Sequence, residues 1–409
     1  MTAPGFSLAA LSSQLAAAPH RMMFFGGAAA VLVSMAWWAC YLAAAYAGHA
    51  FPAPPVPAGW AHAMLTQYGM LSLFIFGFLL TVFPRWLNQP ALERRDYLPV
   101  FALLFGGYLL AHMGLLGSRL MLIAGFVAML CGWSIGLFKL ARVLLRSGSG
   151  DRHAWSCAMA LLFGGVGLAA FVAYLVGAPW WLAIAAIKIG TFAYLLPLYF
   201  SVCHRMIPFF STNAAGPGYR VVKPFWSLPL VWLLSLAHLA LELGHRFDAA
   251  WPVDALLAAA FLYHWVAWQP WKCLRPGLLA ALYLAFAWLP IAFALFALQS
   301  AVLWFDGAFL LGRAPVHALT VGFFGSMLVA MVTRVTQGHS GRPLQMGAVA
   351  WTALVLLQFV VLARIGAELA HAVQTWLLLA AFGWLAAFAP WVARSLWIYA
   401  SPRADGKPG

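Results

Sequence analysis

The chain is expected to fold as an all-α bundle of membrane-crossing helices, and three observations carry that expectation. Of its 409 residues, 65% are hydrophobic and only 8% are charged. Apolar runs longer than about 18 residues recur along the whole sequence, each long enough to cross a bilayer as a helix. The runs are continuous rather than alternating, which excludes a transmembrane β-barrel. A soluble fold is excluded by the same composition.

Reading these runs between turn signals gives twelve spans: about 22–47, 62–83, 98–116, 119–145, 155–177, 180–203, 225–245, 252–269, 277–303, 314–335, 346–369 and 372–397. The first is too long for the apolar core of a signal peptide and is kept as a mature helix. The second opens at His62, after a Pro- and Gly-rich connection over 48–60, and exits through Phe83-Pro84-Arg85-Trp86. Spans three to six succeed one another through short, tight connections. The sixth exits through His204-Arg205-Met206-Ile207-Pro208-Phe209-Phe210 and is separated from the seventh by a second Pro/Gly cluster at 211–224. These clusters read as linkers between helices. No fixed-period repeat stands out, so residues 1–409 form a single integral membrane domain with short tails at about 1–21 and 398–409.

The net charge of +14 invites a nucleic-acid reading, but no basic patch interleaves with exposed aromatics, so no nucleic-acid partner is expected. The sidedness of the charges explains the excess better. With both termini and the even-to-odd loops on one side, that side collects 18 of the 23 Lys and Arg. The other side keeps only Arg119, Arg246, Arg313 and Arg364, with Lys188 left inside the sixth span. Positive residues mark the cytoplasmic side, so both termini are expected in the cytoplasm and the lipid bilayer is the first partner. The 21 Trp and 12 Tyr suit interface belts, with many packed internally. The five cysteines lie in or beside separate apolar segments without a CxxC or CxxCH, so neither a disulfide framework nor covalently attached haem is expected.

Orientation sorts the histidines. His62, His112, His238, His245, His317 and His371 fall in the outer half or at the outer surface, and His204, His264 and His339 toward the cytoplasm. A lone histidine in a membrane helix most often hydrogen-bonds between helices. Six on one side of so uncharged a chain point further, because neutral imidazole ligates haem iron and copper and bundle cores hold cofactors between facing helices. His62 and His317 each lie one or two turns inside the outer face, placed to clamp one haem. Arg313 stands four residues before His317, within reach of a haem propionate, or else as a headgroup anchor. On the seventh span, His238, Glu242 and His245 are spaced to form one helical stripe, suited to a metal such as copper or to a carboxylate–histidine pair. The alternative there is an i,i+4 pair of Glu242 with Arg246. Lys188 is either a functional intramembrane charge or snorkels outward. The three arginine-bearing exits at Arg85, Arg205 and Arg334–Leu344 serve as anchors or converge on one anionic or structural patch.

GFLLTVFPRW at 77–86, RMIPFFS at 205–211, LAFAWLP at 284–290 and above all HALTVGFFGSMLVAMVTRVTQGHSGRPL at 317–344 resemble the NnrS family. The resemblance spans most of the chain. It implies a twelve-span protein of the bacterial inner membrane that binds haem b and copper, interacts with nitric oxide or another small diatomic, and relieves nitrosative stress. By analogy, haem–copper oxidases and nitric oxide reductases also have twelve-helix cores, with haem-binding histidines on the second and tenth helices. Their catalytic centre does not carry over, since the sixth span has no interior histidine and the seventh no His-His pair. Family members also tend to carry a His-x-His-Glu cluster opening the second span, where this chain has only His62, and a histidine in the ninth, where Tyr283 stands. Two other classes remain open: a small-molecule transporter whose polar groups line a path, and a metal-free assembly factor. Neither a catalysed reaction nor an electron donor can be read from the residues.

Overall fold

The computed structural model describes residues 8–212, 214–216 and 218–406. Residues 1–7 of the expected leading tail, and Lys407 among the basic residues on the cytoplasmic side, lie outside them. A short helix α1 (Leu8–Leu15) precedes twelve long ones: α2 (Pro19–Ala47), α3 (Ala58–Trp86), α4 (Arg94–Gly114), α5 (Arg119–Ser147), α6 (Arg152–Leu175), α7 (Trp181–Thr212), α8 (Ser227–Leu243), α9 (Trp251–Ala267), α10 (Gly277–Asp306), α11 (Ala314–His339), α12 (Ala348–Leu369) and α13 (Val373–Ala400). Ten of them are long and apolar enough to cross a membrane. The twelve expected spans are thus met for ten. The exceptions are α8 and α9, of 17 residues each. At 1.5 Å per residue each spans about 25 Å, short of a ~30 Å hydrocarbon core. The expected tails are also partly helical, since α2 begins at Pro19 and α13 continues to Ala400.

Helix ends obey local chemistry. Pro19 occupies the first turn of α2, where its missing N–H costs nothing, and Gly48 closes it with φ +69°. Glu93 and Asp96 form a reciprocal capping box on α4. Ser118 caps α5 by accepting from the Met121 N–H at 3.3 Å. The α4–α5 hairpin is tight because glycines line it. A Cβ on Gly125 would sit 2.5 Å from the Ala111 nitrogen, and one on Gly107 2.6 Å from the Gly125 carbonyl, a small-residue seam of the kind that lets membrane helices touch backbone to backbone.

Helices α3, α7 and α11 form the inner layer. Their most apolar stretches are 83%, 67% and 72% buried, against 33–44% for most of the others, with α10 joining them at 67%. Each of these three contains a π-helical turn, at Leu65–Leu71, Gly190–Leu195 and Ala318–Gly325. A π turn inserts one extra residue and rotates the side chains beyond it onto a new face of the helix. At each one a glycine takes a large side chain: Tyr108 lies on Gly69, Gln67 and Tyr68 on Gly190, and Trp288 on Gly322. The carbonyls and hydroxyls around the turns are tied across helices. Tyr68 donates to the Ala186 carbonyl at 2.7 Å, Gln67 to Thr191 at 3.0 Å, and Ser72 meets the Tyr194 hydroxyl at 2.9 Å. The outer helices close around this layer, with α13 packed against α2 and Trp384 donating to the Val31 carbonyl at 3.2 Å.

Gly125→Ala is expected to destabilise the detergent-solubilised protein by about 1–3 kcal/mol through overpacking of the α4–α5 seam. Gly59→Ala, at a position with open space around it, is expected to be neutral. Thermal unfolding of the two variants side by side checks this.

Candidate functional site

The first site is built at the start of α11. Gly312, at φ +50°, lets the chain turn directly beneath the Glu368 carboxylate, which a Cβ there would strike. Arg313 then takes the N-cap position and Pro315 the first turn. One turn on, the His317 Nδ1–H donates to the Arg313 carbonyl at 2.8 Å. A carbonyl can only accept, so this bond fixes the tautomer and leaves Nε2 with the lone pair, the arrangement of a ligand histidine. His62, at the start of α3, lies flat on Trp38 of α2, with ring centroids 4.6 Å apart and planes at 19°. Its Nδ1 is buried without a hydrogen-bond partner.

The two imidazoles lie within electrostatic reach of each other and both lie within reach of Arg364 on α12. Arg364 is held by Glu368 at 2.6 Å, one turn along the same helix. The Arg313 side chain is exposed, and what it gives the site is its backbone carbonyl. In the sequence Arg364 counts only toward topology. The signal that points to more is a charge inside an apolar helix with an acid at i+4.

The second site corrects the expected stripe. His238 and Glu242 do share a face of α8, with 3.6 Å between Nε2 and Oε1. His245 does not join them, because the helix ends at Leu243 and His245 turns away at φ +54°, exposed, against Phe247. Glu242 pairs with Lys188 of α7 rather than with Arg246, which binds Asp248 at 3.2 Å. Lys188 therefore neither snorkels free nor stands alone. The residue missed in sequence is Asp254 of α9, whose Oδ1 lies 2.5 Å from His238 Nδ1 with both side chains 1% exposed. The result is a row, Lys188–Glu242–His238–Asp254, across three helices. The His238 ring is packed among Phe192, Phe293 and Phe296. Nδ1 of this imidazole is bonded to Asp254, whereas Nε2 faces Glu242 at 3.6 Å, beyond hydrogen-bond reach.

At the opposite end, the three arginine-bearing exits converge. Arg205 from α7 lies over the Trp86 ring of α3 at 4.3 Å, and Arg334 from α11 lies over Phe210 of α7 at 3.8 Å. Each motif thus caps an aromatic of the one before it. Arg205 also donates to Asp151 at 2.5 Å, and the other oxygen of that carboxylate caps α6 by accepting from His153 and Ala154 at 3.0 Å. His153 in turn meets His204 at 3.0 Å. His339 lies against His20 of α2, with centroids 4.3 Å apart. His264 is structural, bonded to the Ala260 carbonyl and to Ser227. His112, expected among the outer histidines, donates to the Tyr108 carbonyl at 3.0 Å. Tyr283, where the resemblance led to the expectation of a histidine, bonds Ser211 and the Trp268 carbonyl. Among the described residues, no three His, Cys, Asp or Glu side chains are gathered as they would be around a metal ion.

Long apolar helices, an interior tied by polar turns, and charges neutralised pairwise between helices define a multi-pass membrane protein. The chain belongs to the NnrS protein family, whose model matches residues 14–403. No curated protein and no solved structure matches it.

Two outcomes test this architecture. Glu242→Gln leaves Lys188 without its acid, His238 keeping Asp254, and is expected to cost about 3 kcal/mol, while Lys188→Met combined with Glu242→Met restores most of the loss, read by thermal unfolding. Burial works to raise the Asp151 pKa, but the Ala154 N–H and the Arg205 guanidinium hold it below the usual range. Its stabilisation is therefore complete above the unfolded value of about 3.9 and is lost as pH falls through the lower folded value. Asp151→Asn is expected to lower stability at pH 7 by about 1–2 kcal/mol and to flatten the acid limb of a melting-temperature series.

Proposed function

We propose that this protein is a haem-binding redox protein of the bacterial inner membrane, acting in nitric oxide metabolism or the nitrosative stress response. All twelve long helices cross the bilayer in this reading, α8 and α9 included, with both termini in the cytoplasm. The asymmetry of Lys and Arg supports that orientation. The observation that carries the haem assignment is the pair of imidazoles on α3 and α11, with the His317 tautomer set by the Arg313 carbonyl and a buried His62 nitrogen left without a partner. His62 and His317 would hold haem b, which imidazoles carried on separate helices of a bundle ligate well. Haem, when bound, supplies a one-electron couple near the outer face.

The chain's own residues do the rest. Arg313 orients His317 through its carbonyl, and Arg364, steadied by Glu368, supplies the positive charge suited to a propionate. Trp38 covers the His62 ring and excludes water from that side. His238, bonded to Asp254 and 3.6 Å from Glu242, would be the proton-handling residue of the outer half. A copper ion does not fit the donor sets among the described residues, since His245 stands apart from His238 and Glu242.

Purification from a haem-replete host, with reduced-minus-oxidised spectra and metal analysis, tests the proposal. A stoichiometric b-type spectrum is expected, and at least a tenfold loss of bound haem in both His62→Ala and His317→Ala. A folded protein without haem, or one whose haem survives both substitutions, overturns it. A reporter fused after residue 406 is expected to report a cytoplasmic location.

A further inference from the structure

Buried basic groups gather where the first and last long helices meet. His20 and Arg21, in the first turn of α2, are each 5% exposed. Arg21 Nη2 donates to the Tyr399 carbonyl at 3.1 Å and to the Ser401 carbonyl, which fixes the guanidinium. Its Nη1 is buried without a hydrogen-bond partner. His20 lies against His339 at the end of α11, and its Nδ1 is likewise buried without one. Three residues past His339, the Nη1 of Arg342 is a third such nitrogen. Arg403 follows α13 and is brought in by the Ala404 N–H, which donates to the Ser340 carbonyl at 2.9 Å. It lies within electrostatic reach of His20, Arg21 and His339. Arg342 is within reach of Arg21, and Arg85 of α3 within reach of both histidines. The acid among them is Asp405, held by Arg403 at 2.6 Å. The guanidiniums of Arg21, Arg85, Arg342 and Arg403 thus stand against one carboxylate, four positive charges against one negative.

A buried N–H without an acceptor costs free energy that an anion recovers through charge-assisted hydrogen bonds. Ala18 gives α2 no side-chain cap, so the positive end of a 29-residue helix adds to the same place. Arg85 is exposed and leaves the cluster open to water on its side. The donors arrive from four elements: the start of α2, the end of α3, the segment after α11 and the segment after α13. That spread suits a tetrahedral anion with oxygens on every side, which forked guanidiniums grip well. A planar carboxylate or a halide would leave donors unmatched. We propose that this cluster binds a phosphate group. Two sources carry that chemistry to the end of a membrane bundle, the headgroup of an anionic lipid and phosphate in the aqueous phase. The site lies at the opposite end of α11 from His317 and does not require haem to be bound.

Thermal unfolding of the delipidated protein in a neutral detergent tests this. Inorganic phosphate and, separately, dioleoylphosphatidylglycerol are titrated in, with ionic strength held constant by chloride. A saturable rise in melting temperature is expected with at least one of them. None is expected with dioleoylphosphatidylcholine, whose quaternary amine neutralises its own phosphate. A rise with phosphatidylglycerol alone identifies the lipid headgroup as the source, and a rise with inorganic phosphate identifies the aqueous anion. Arg342→Gln and, independently, Arg85→Gln are expected to raise the half-saturating concentration at least tenfold, with unfolding transitions confirming that each variant is folded. Arg21 is spared because it also fastens α13. Arg220→Gln, at an exposed position in the α7–α8 connection, is expected to change nothing. Absence of a saturable rise with both probes, a rise that chloride reproduces, or wild-type affinity in either folded variant overturns the proposal. The haem spectrum of the same preparation reads the separate haem assignment, so the two fail independently.

Discussion

A charge buried among apolar helices has to find its partner on a neighbouring helix, and this requirement fixes how the bundle is assembled. Water cannot compensate it, and leaving it alone costs more than most packing contacts return. Lys188 of α7 reaches Glu242 of α8, Lys139 of α5 reaches Asp96 of α4 at 2.8 Å, and Arg205 of α7 reaches Asp151 ahead of α6. Each pair sets the rotation and depth of two helices at once. Apolar packing alone, which is nearly as good against lipid, would leave both free to slide.

The same constraint separates the two ends of α11. At one end His317 is oriented by a carbonyl and shares its surroundings with His62 and Arg364, a quiet arrangement of neutral rings near a single ion pair. At the other end Arg334 lies on an aromatic face of α7, and His339 on His20 of α2. One end carries the oriented imidazole and the other the contacts that fasten the helix. The family motif covers both, and the helix between them sets the place of each.

Much of this was legible in the sequence. All twelve apolar runs became helices, and His62 and His317 fall in the first turns of α3 and α11, where the reading of the spans put them. What escaped has physical reasons. The three-residue step from Glu242 to His245 assumes an unbroken helix, and Gly244 ends it. Asp254 and His20 carry no local signal, since their partners are distant in the chain. The π turns leave no mark in hydropathy because most residues around them are buried and none is exposed, so a change of period moves no residue from core to lipid. Arg364 was visible, but its role depends on the loop at Gly312 folding under Glu368.

The meeting of α2 and α13 carries a consequence of another kind. Gln14 bonds the Ser401 carbonyl at 3.2 Å, and Arg21 holds the carbonyls of Tyr399 and Ser401. The last long helix therefore returns to the first, and the contact of α13 with α2 closes the described chain into a circuit. In such a circuit the order of synthesis is not inscribed in the architecture. A circular permutant, with its ends joined and a new opening in the 213–226 connection, keeps every interhelical pair that holds the native bundle together.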